Sequence, residues 1–267
     1  MDEKYLTYLR QNRKKIGLST VILIFLVALG LFIFNTMESN IFLKSSNNTV
    51  YVAGDGSGNF TCDGIDDQVE INQALEYVAQ NPRFSTVHLK GPNTYVISNS
   101  ILIGNNTILE GDDTAVVKLQ DNANWPVGKP LITQMGSDGA YGITIKGFEI
   151  NGNHDKNEDK KRGQGYYNMI KFLDATNVDV HDVYMHDGHG DGLRVEKGSN
   201  ITFYNNSVYK LGHDGLFAID CLNVEAWNNT ITCRTNSGLR VWNSNHVKFH
   251  DNVIDSFYTG AQAALEF

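Results

Sequence analysis

The chain has 267 residues, 41% of them hydrophobic and 19% charged, with a formal net charge of −8; that is enough for one large domain or two small ones with a packed core. An acidic chain is poorly suited to wrapping nucleic acid, whose affinity comes mostly from neutralised phosphates, so no nucleic-acid partner is expected. The cysteines, Cys62, Cys221 and Cys233, are too few for a disulfide framework at this size, and there is no CxxC pair and no zinc-ligand spacing.

Charge is uneven along the chain. Residues 1–15 carry five basic and two acidic side chains, a net +3 that leaves −11 for the rest. Residues 16–34, IGLSTVILIFLVALGLFIF, carry no charge. About 20 apolar residues cross the hydrocarbon core as a helix, and a basic flank stays in the cytoplasm. The following NTMESN offers no A-x-A-like cleavage site, which favours an uncleaved anchor over a signal peptide. The expectation is a cytoplasmic tail over 1–15, a transmembrane helix over 16–34 and a linker over 35–48. The domain over 49–267 is then held outside, by a single pass through the cell membrane. N-x-[ST] sequons at Asn47, Asn59, Asn105, Asn200, Asn205 and Asn228 are compatible with that location.

The Asp-rich stretch 55–67 invites a calcium reading, but Phe60 stands where an EF-type loop needs Gly, so it is read as a turn and no cofactor or metal is expected. Residues 67–82, DQVEINQALEYVAQNP, read as a helix. Val69, Ile71, Leu75 and Val78 form its apolar stripe, Asp67 and Glu70 a capping pair, and Pro82 its stop. Residues 86–119 read as strands broken by turns.

A repeat then dominates. Val178, Ile201, Val224 and Val247 recur at 23-residue intervals, opening NVDVHD, NITFYN, NVEAWN and HVKFHD. Leu193, Leu216 and Leu239 share a column; so do Val195, Ala218 and Val241, and Met185, Val208, Ile231 and Ile254. Alternate residues in each run are apolar, as in a strand with one buried face. A 23-residue period holds three short strands and three turns, and one such coil cannot bury its own apolar face, so coils must stack. The prediction is an all-β, right-handed parallel β-helix with a short N-terminal capping helix. Asn206, Asn229 and Asn252 form a turn column suited to left-handed backbone and to a hydrogen-bonded ladder. Ile143 and Ile145 match Val178 and Val180, and Ile170 and Phe172 match Leu193 and Val195, with a loop longer by 12 residues within 151–168. The Leu239 column predicts an apolar residue at 262, where Gln262 stands. TGAQAALEF fits no coil, so the last coil is expected to be incomplete, as in a truncated or frame-shifted chain.

YVAGDGSGNFTCDGIDDQVEINQAL followed by the Asn-laddered coils resembles the pectin-lyase-like β-helix superfamily. GFEINGNHD, YMHDGHGDGLRV, YKLGHDGL and RTNSGLRVWNSNHVKFHDNVIDSFY look, more narrowly, like disaggregatase, a surface enzyme of methanogenic archaea. That resemblance covers about residues 50–258 and implies action on a cell-envelope heteropolysaccharide of uronic acid and N-acetylgalactosamine.

The candidate site lies on the strands GLRVE, GLFAI and GLRVW. Their outward column is Lys171, Arg194, Phe217 and Arg240, with Glu196 and Trp242 in the next one. Arg and Lys pair with carboxylates and aromatic faces pack on sugars, so this basic and aromatic ribbon suits a polyuronide. The turns before it, DGHGDG and LGHDG, place Asp191 and Asp214 23 residues apart and so in one column. Stacked carboxylates repel, which leaves one protonated at higher pH, as the acid and base of glycoside cleavage require. His189 and His213 stand beside them as proton relays. A glycoside hydrolase is expected; a lyase in which Arg194, Lys210 or Arg240 neutralises the uronate is the alternative, and a glycan-binding module without catalysis the third reading.

Overall fold

The computed structural model describes residues 48–157, 167–233, 237–256 and 263–267. The repeat is realised as a parallel β-helix. Each coil gives one short strand to each of three faces, and equivalent strands of successive coils pair in parallel. Among the described residues the first sheet has nine strands and the other two have seven each. One coil runs through Ala175–His181, Tyr184–His186 and Leu193–Glu196, and the next repeats it as Ser199–Tyr204, Ser207–Leu211 and Leu216–Ile219.

The registers follow the sequence columns. Val178, Ile201, Val224 and Val247 are in line on the first sheet, Met185, Val208, Ile231 and Ile254 on the second, and Leu193, Leu216 and Leu239 on the third. Ile143 and Ile145 align with Val178 and Val180, and Ile170 and Phe172 with Leu193 and Val195. Strand alternation turns all of these inward. They are buried except near the last coil, where Val247 and Ile254 are partly covered. On the outer face of the first sheet the rings of His181, Tyr204, Trp227 and His250 stack in turn, with centroids 4.6, 4.2 and 6.0 Å apart.

The Asn column forms a buried ladder. Asn229 Nδ2 donates to Asn252 Oδ1 at 2.8 Å and to the Phe203 carbonyl at 2.9 Å. Its Oδ1 accepts from the backbone and side-chain nitrogens of Asn206 at 3.0 and 3.1 Å. The left-handed residue lies one position earlier than expected, at Asp182, Asn205, Asn228 and Asp251 (φ 53°, 55°, 52° and 55°). The two tasks are divided because a side chain turned inward to bond the next coil needs its neighbour to reverse the chain.

The helix, α1 (Gln68–Gln80), covers the open first coil and packs on Ile101–Ile103 and Thr49–Ala53. Its buried face is Gln68, Ile71, Ala74, Leu75 and Val78, whereas Val69 is 45% exposed and off the stripe. The expected capping pair does not form, and Asp67 makes no side-chain cap bond. Its buried carboxylate turns into the coil instead and accepts from the backbone nitrogens of Asp63 (3.1 Å), Gly64 (2.9 Å) and Val96 (2.7 Å), tying the cap to the second sheet. Asp55 and Asp63 likewise use their carboxylates to close turns, on the N–H groups of Ser57 and Ile65. Cys62 and Cys221 carry free thiols.

Three expectations are corrected. Residues 263–266 do form a coil strand: Ala263–Glu266 pairs with Ser237–Trp242, and Leu265, not residue 262, continues the Leu239 column. Leu265 lies 26 residues after Leu239 instead of 23, so the pairing falls three residues later than the repeat predicts. The expected transmembrane helix is not found either, because no helix among the described residues is long and apolar enough to cross a membrane. The one described α-helix has 13 residues, about 20 Å against a hydrocarbon core of about 30 Å, and has a polar face. The single-pass localisation that rested on such a helix falls with it, and residues 16–34 themselves lie outside the described residues.

Candidate functional site at the corner before the third sheet

The corner entering the third sheet carries a second polar column: Asn168, Asp191, Asp214 and Ser237. Each side-chain Oδ1 accepts the backbone N–H of the next coil, from Asn168 to Asp191 N (2.9 Å), from Asp191 to Asp214 N (3.1 Å) and from Asp214 to Ser237 N (2.8 Å). Close stacking explains the glycines beside it. A Cβ on Gly212 would lie 2.1 Å from the His189 carbonyl oxygen, and one on Gly190 would lie 2.5 Å from Asn168 Oδ1.

The two aspartates are thus brought together as expected, and His213 bridges them. Its Nδ1–H is shared between Asp191 Oδ1 at 2.5 Å and Asp214 Oδ2 at 3.0 Å. Arg194 Nη1 stands 3.5 Å from Asp191 Oδ2, and Arg240 Nη1 stands 3.5 Å from Asp214 Oδ2. Asp191 is 1% exposed and Asp214 0%. Burial opposes charge on His213, but its bonds to both carboxylates outweigh that and lift its pKa to about 9. Burial, reinforced by the charge of Asp191, pushes Asp214 above the ordinary carboxylate range, against the pull of His213. One corner therefore holds a cationic imidazole and a carboxyl whose pKa is raised.

The ribbon is in register as expected: Lys171, Arg194, Phe217 and Arg240 share one column, and Glu196, Ile219 and Trp242 the next. It is not an open basic strip, however. Lys171 Nζ and Arg194 Nε both donate to Glu196 Oε1, at 2.9 and 2.7 Å, and Arg240 Nη2 donates to Glu266 Oε1 at 2.9 Å. Phe217 is only 3% exposed. The guanidiniums of Arg194 and Arg240 lie 4.9 and 4.6 Å from its ring and Trp242 meets it edge-on at 5.1 Å, so Trp242 is the aromatic residue left at the surface. Two proposed members sit elsewhere. His189 is buried between the rings of His154 and Tyr167, each 5.3 Å away; the column aligns His213 with Gly190, not with His189. Lys210 occupies a left-handed bulge on the second sheet, over Tyr209.

A family model described as "right handed beta helix region" matches residues 85–254. The chain belongs to the right-handed β-helix family. Several β-helix structures superpose on it. A polygalacturonase from Erwinia carotovora does so with a TM-score of 0.64 at 12% identity, over 83% of this chain and 68% of its own. A family 28 exopolygalacturonase from Yersinia enterocolitica gives 0.63 at 12%, over 83% and 51%. The A-module of a mannuronan C-5 epimerase from Azotobacter vinelandii gives 0.62 at 18%, over 75% and 54%. The chain spans about half the length of these last two. At such identities the likeness shows the fold, and none of it carries the narrower likeness to disaggregatase. No curated protein matches the chain in sequence.

Within this β-helix, sequence reasoning missed Asn168, Ser237 and Glu266. The first two lie 23 residues before Asp191 and after Asp214, a spacing that could have found them; Glu266 was hidden by the shifted last coil. Among the described residues two groups, Asp191–His213–Asp214 and Cys62–Asp67–Glu70, have donor atoms within 4.8 Å of one another. Neither suits a cation. The first already surrounds a shared proton and is flanked by two guanidiniums; in the second, burial pushes the Cys62 thiol far up and Asp67 is saturated by backbone N–H groups.

Proposed function

We propose that the chain hydrolyses a uronic-acid-containing polysaccharide on its third sheet. The observation that carries this reading is the Asp191–His213–Asp214 corner: two carboxylates in reach of one imidazole, with the pKa of Asp214 raised by burial. Asp214 is the acid for the glycosidic oxygen and Asp191 the base or nucleophile, with His213 orienting both. Lys171, Arg194 and Arg240 read the sugar carboxylates, and the exposed face of Trp242 packs on a ring. Because the aspartates are covered, substrate reaches them only once side chains around the corner move aside.

The neighbours named as polygalacturonases and a mannuronan C-5 epimerase support the substrate class, and the resemblance of the sequence phrases to disaggregatase favours a cell-envelope heteropolymer. A His213 with a pKa of about 9 is held protonated at neutral pH and is not the base of an elimination; the pairing of Asp191 with a carboxyl of raised pKa is the arrangement that favours hydrolysis. Incubation with polygalacturonate and with a uronate–hexosamine heteropolysaccharide tests this. New reducing ends without ultraviolet absorbance are expected. Absorbance from an unsaturated product would replace hydrolysis with elimination, and binding without either would leave a glycan-binding module.

A further inference from the structure

We propose that Arg240, Ser237 and Trp242 form a carboxylate receptor whose resident occupant, Glu266, stands in for a substrate uronate and must be displaced by it. The inference rests on the uronate reading above and deepens it. Three donors of different kinds converge on the Glu266 carboxylate. Arg240 Nη2 donates to Oε1 at 2.9 Å, Trp242 Nε1 to the same oxygen at 3.3 Å, and Ser237 Oγ to Oε2 at 2.9 Å. All three come from one strand, Ser237–Trp242, so their spacing is set by the sheet.

The receptor is built and under-filled. Arg240 is 8% exposed, its guanidinium fixed between the faces of Phe217 at 4.6 Å and Trp242 at 4.1 Å. Among the described residues its buried Nε has no hydrogen-bond partner. A guanidinium takes a carboxylate best through two parallel N–H groups, and Glu266 engages Nη2 alone. A uronate lying along the Nε–Nη2 edge would make both bonds and leave its ring against the exposed face of Trp242. Glu266 is itself partly exposed, so a dissolved uronate can reach the carboxylate and compete with it. The stand-in keeps Arg240 neutralised until an acidic sugar arrives and disfavours neutral sugars, which cannot replace the lost charge pair.

The test uses the full chain, galacturonate as probe, galactose as neutral control and Trp fluorescence as readout, with far-ultraviolet circular dichroism to verify folding. If Glu266 fills the receptor roughly nine-tenths of the time, Glu266→Gln raises apparent galacturonate affinity about tenfold, leaves galactose unbound, and loses the gain when Arg240→Lys removes the fork. Equal or weaker galacturonate binding by Glu266→Gln, or an equal gain for galactose, overturns the receptor. A gain in galacturonate affinity in a chain that cuts no uronate polymer upholds the receptor and removes the hydrolase reading; cleavage without the gain does the reverse.

Discussion

Replacing Asp214 by Asn separates chemistry from architecture, because the column already contains the answer to whether an amide fits. Asn168 occupies the same position two coils earlier and offers its Oδ1 to the N–H of Asp191 at 2.9 Å, as Asp214 offers its own to Ser237 at 2.8 Å. Asp214→Asn therefore keeps the buried N–H of Ser237 satisfied. His213 and Arg240 retain Asp191 and Glu266 as partners. Stability should change by about 1 kcal/mol or less. Asp214→Leu, which leaves the Ser237 N–H without an acceptor, should cost about 1–3 kcal/mol. Activity should behave differently. Loss of the ionisable group removes acid catalysis, worth roughly 100- to 10,000-fold in rate, and polymer binding should persist because the cationic column is intact. Reducing-end release by wild type, Asp191→Asn and Asp214→Asn, alongside urea unfolding of each, checks this. If both Asn variants turn over substrate near the wild-type rate, the pair is a structural ladder and the proposed chemistry is wrong.

Two further outcomes follow from the geometry. His213 has a folded pKa of about 9 against an ordinary 6.5, so its contribution to stability is full below about pH 6.5 and is lost as pH rises through about 9. Unfolding free energy should fall across that window, and His213→Gln should flatten the fall. In the buried ladder, Asn229→Ala strands the Asn206 N–H and frees the Phe203 carbonyl, at a cost of about 2–4 kcal/mol. Asn228→Gly accepts the same left-handed φ of 52° and should cost about 1 kcal/mol or less; equal losses for the two in urea unfolding would contradict the ladder.

The β-helix was legible because its period is written in residues that must face inward: once Val178, Ile201 and Val224 are aligned, the other columns follow. What escaped is what periodicity does not encode. Alternation says that the Phe217 side chain leaves the core, but not that Arg194, Arg240 and Trp242 fold over it. The same period pairs Asp191 with Asp214, yet the charge balance of the ribbon depends on Glu266, which stands opposite Arg240 three residues later than the 23-residue period places it. Asp67 before a helix reads as a cap, and only the packed coil shows that three backbone N–H groups of the β-helix compete for it and win.

The side-chain ladders and the parallel registers together make the coil a quantum of length. Excising 23 residues between equivalent positions, such as 199–221, would bring Leu222 against Thr176 where Ser199 had been and leave each amide and carboxyl column able to close on its new neighbour. Excising 22 would turn every inward side chain beyond the cut outward. Corners are exempt, since 12 additional residues within 151–168 and three additional residues before Ala263 both leave the following strand paired in parallel with its neighbour. A gene for such a chain can grow or shrink by whole rungs or decorate its corners, whereas an insertion within a strand has to be absorbed as a bulge, as at Lys210.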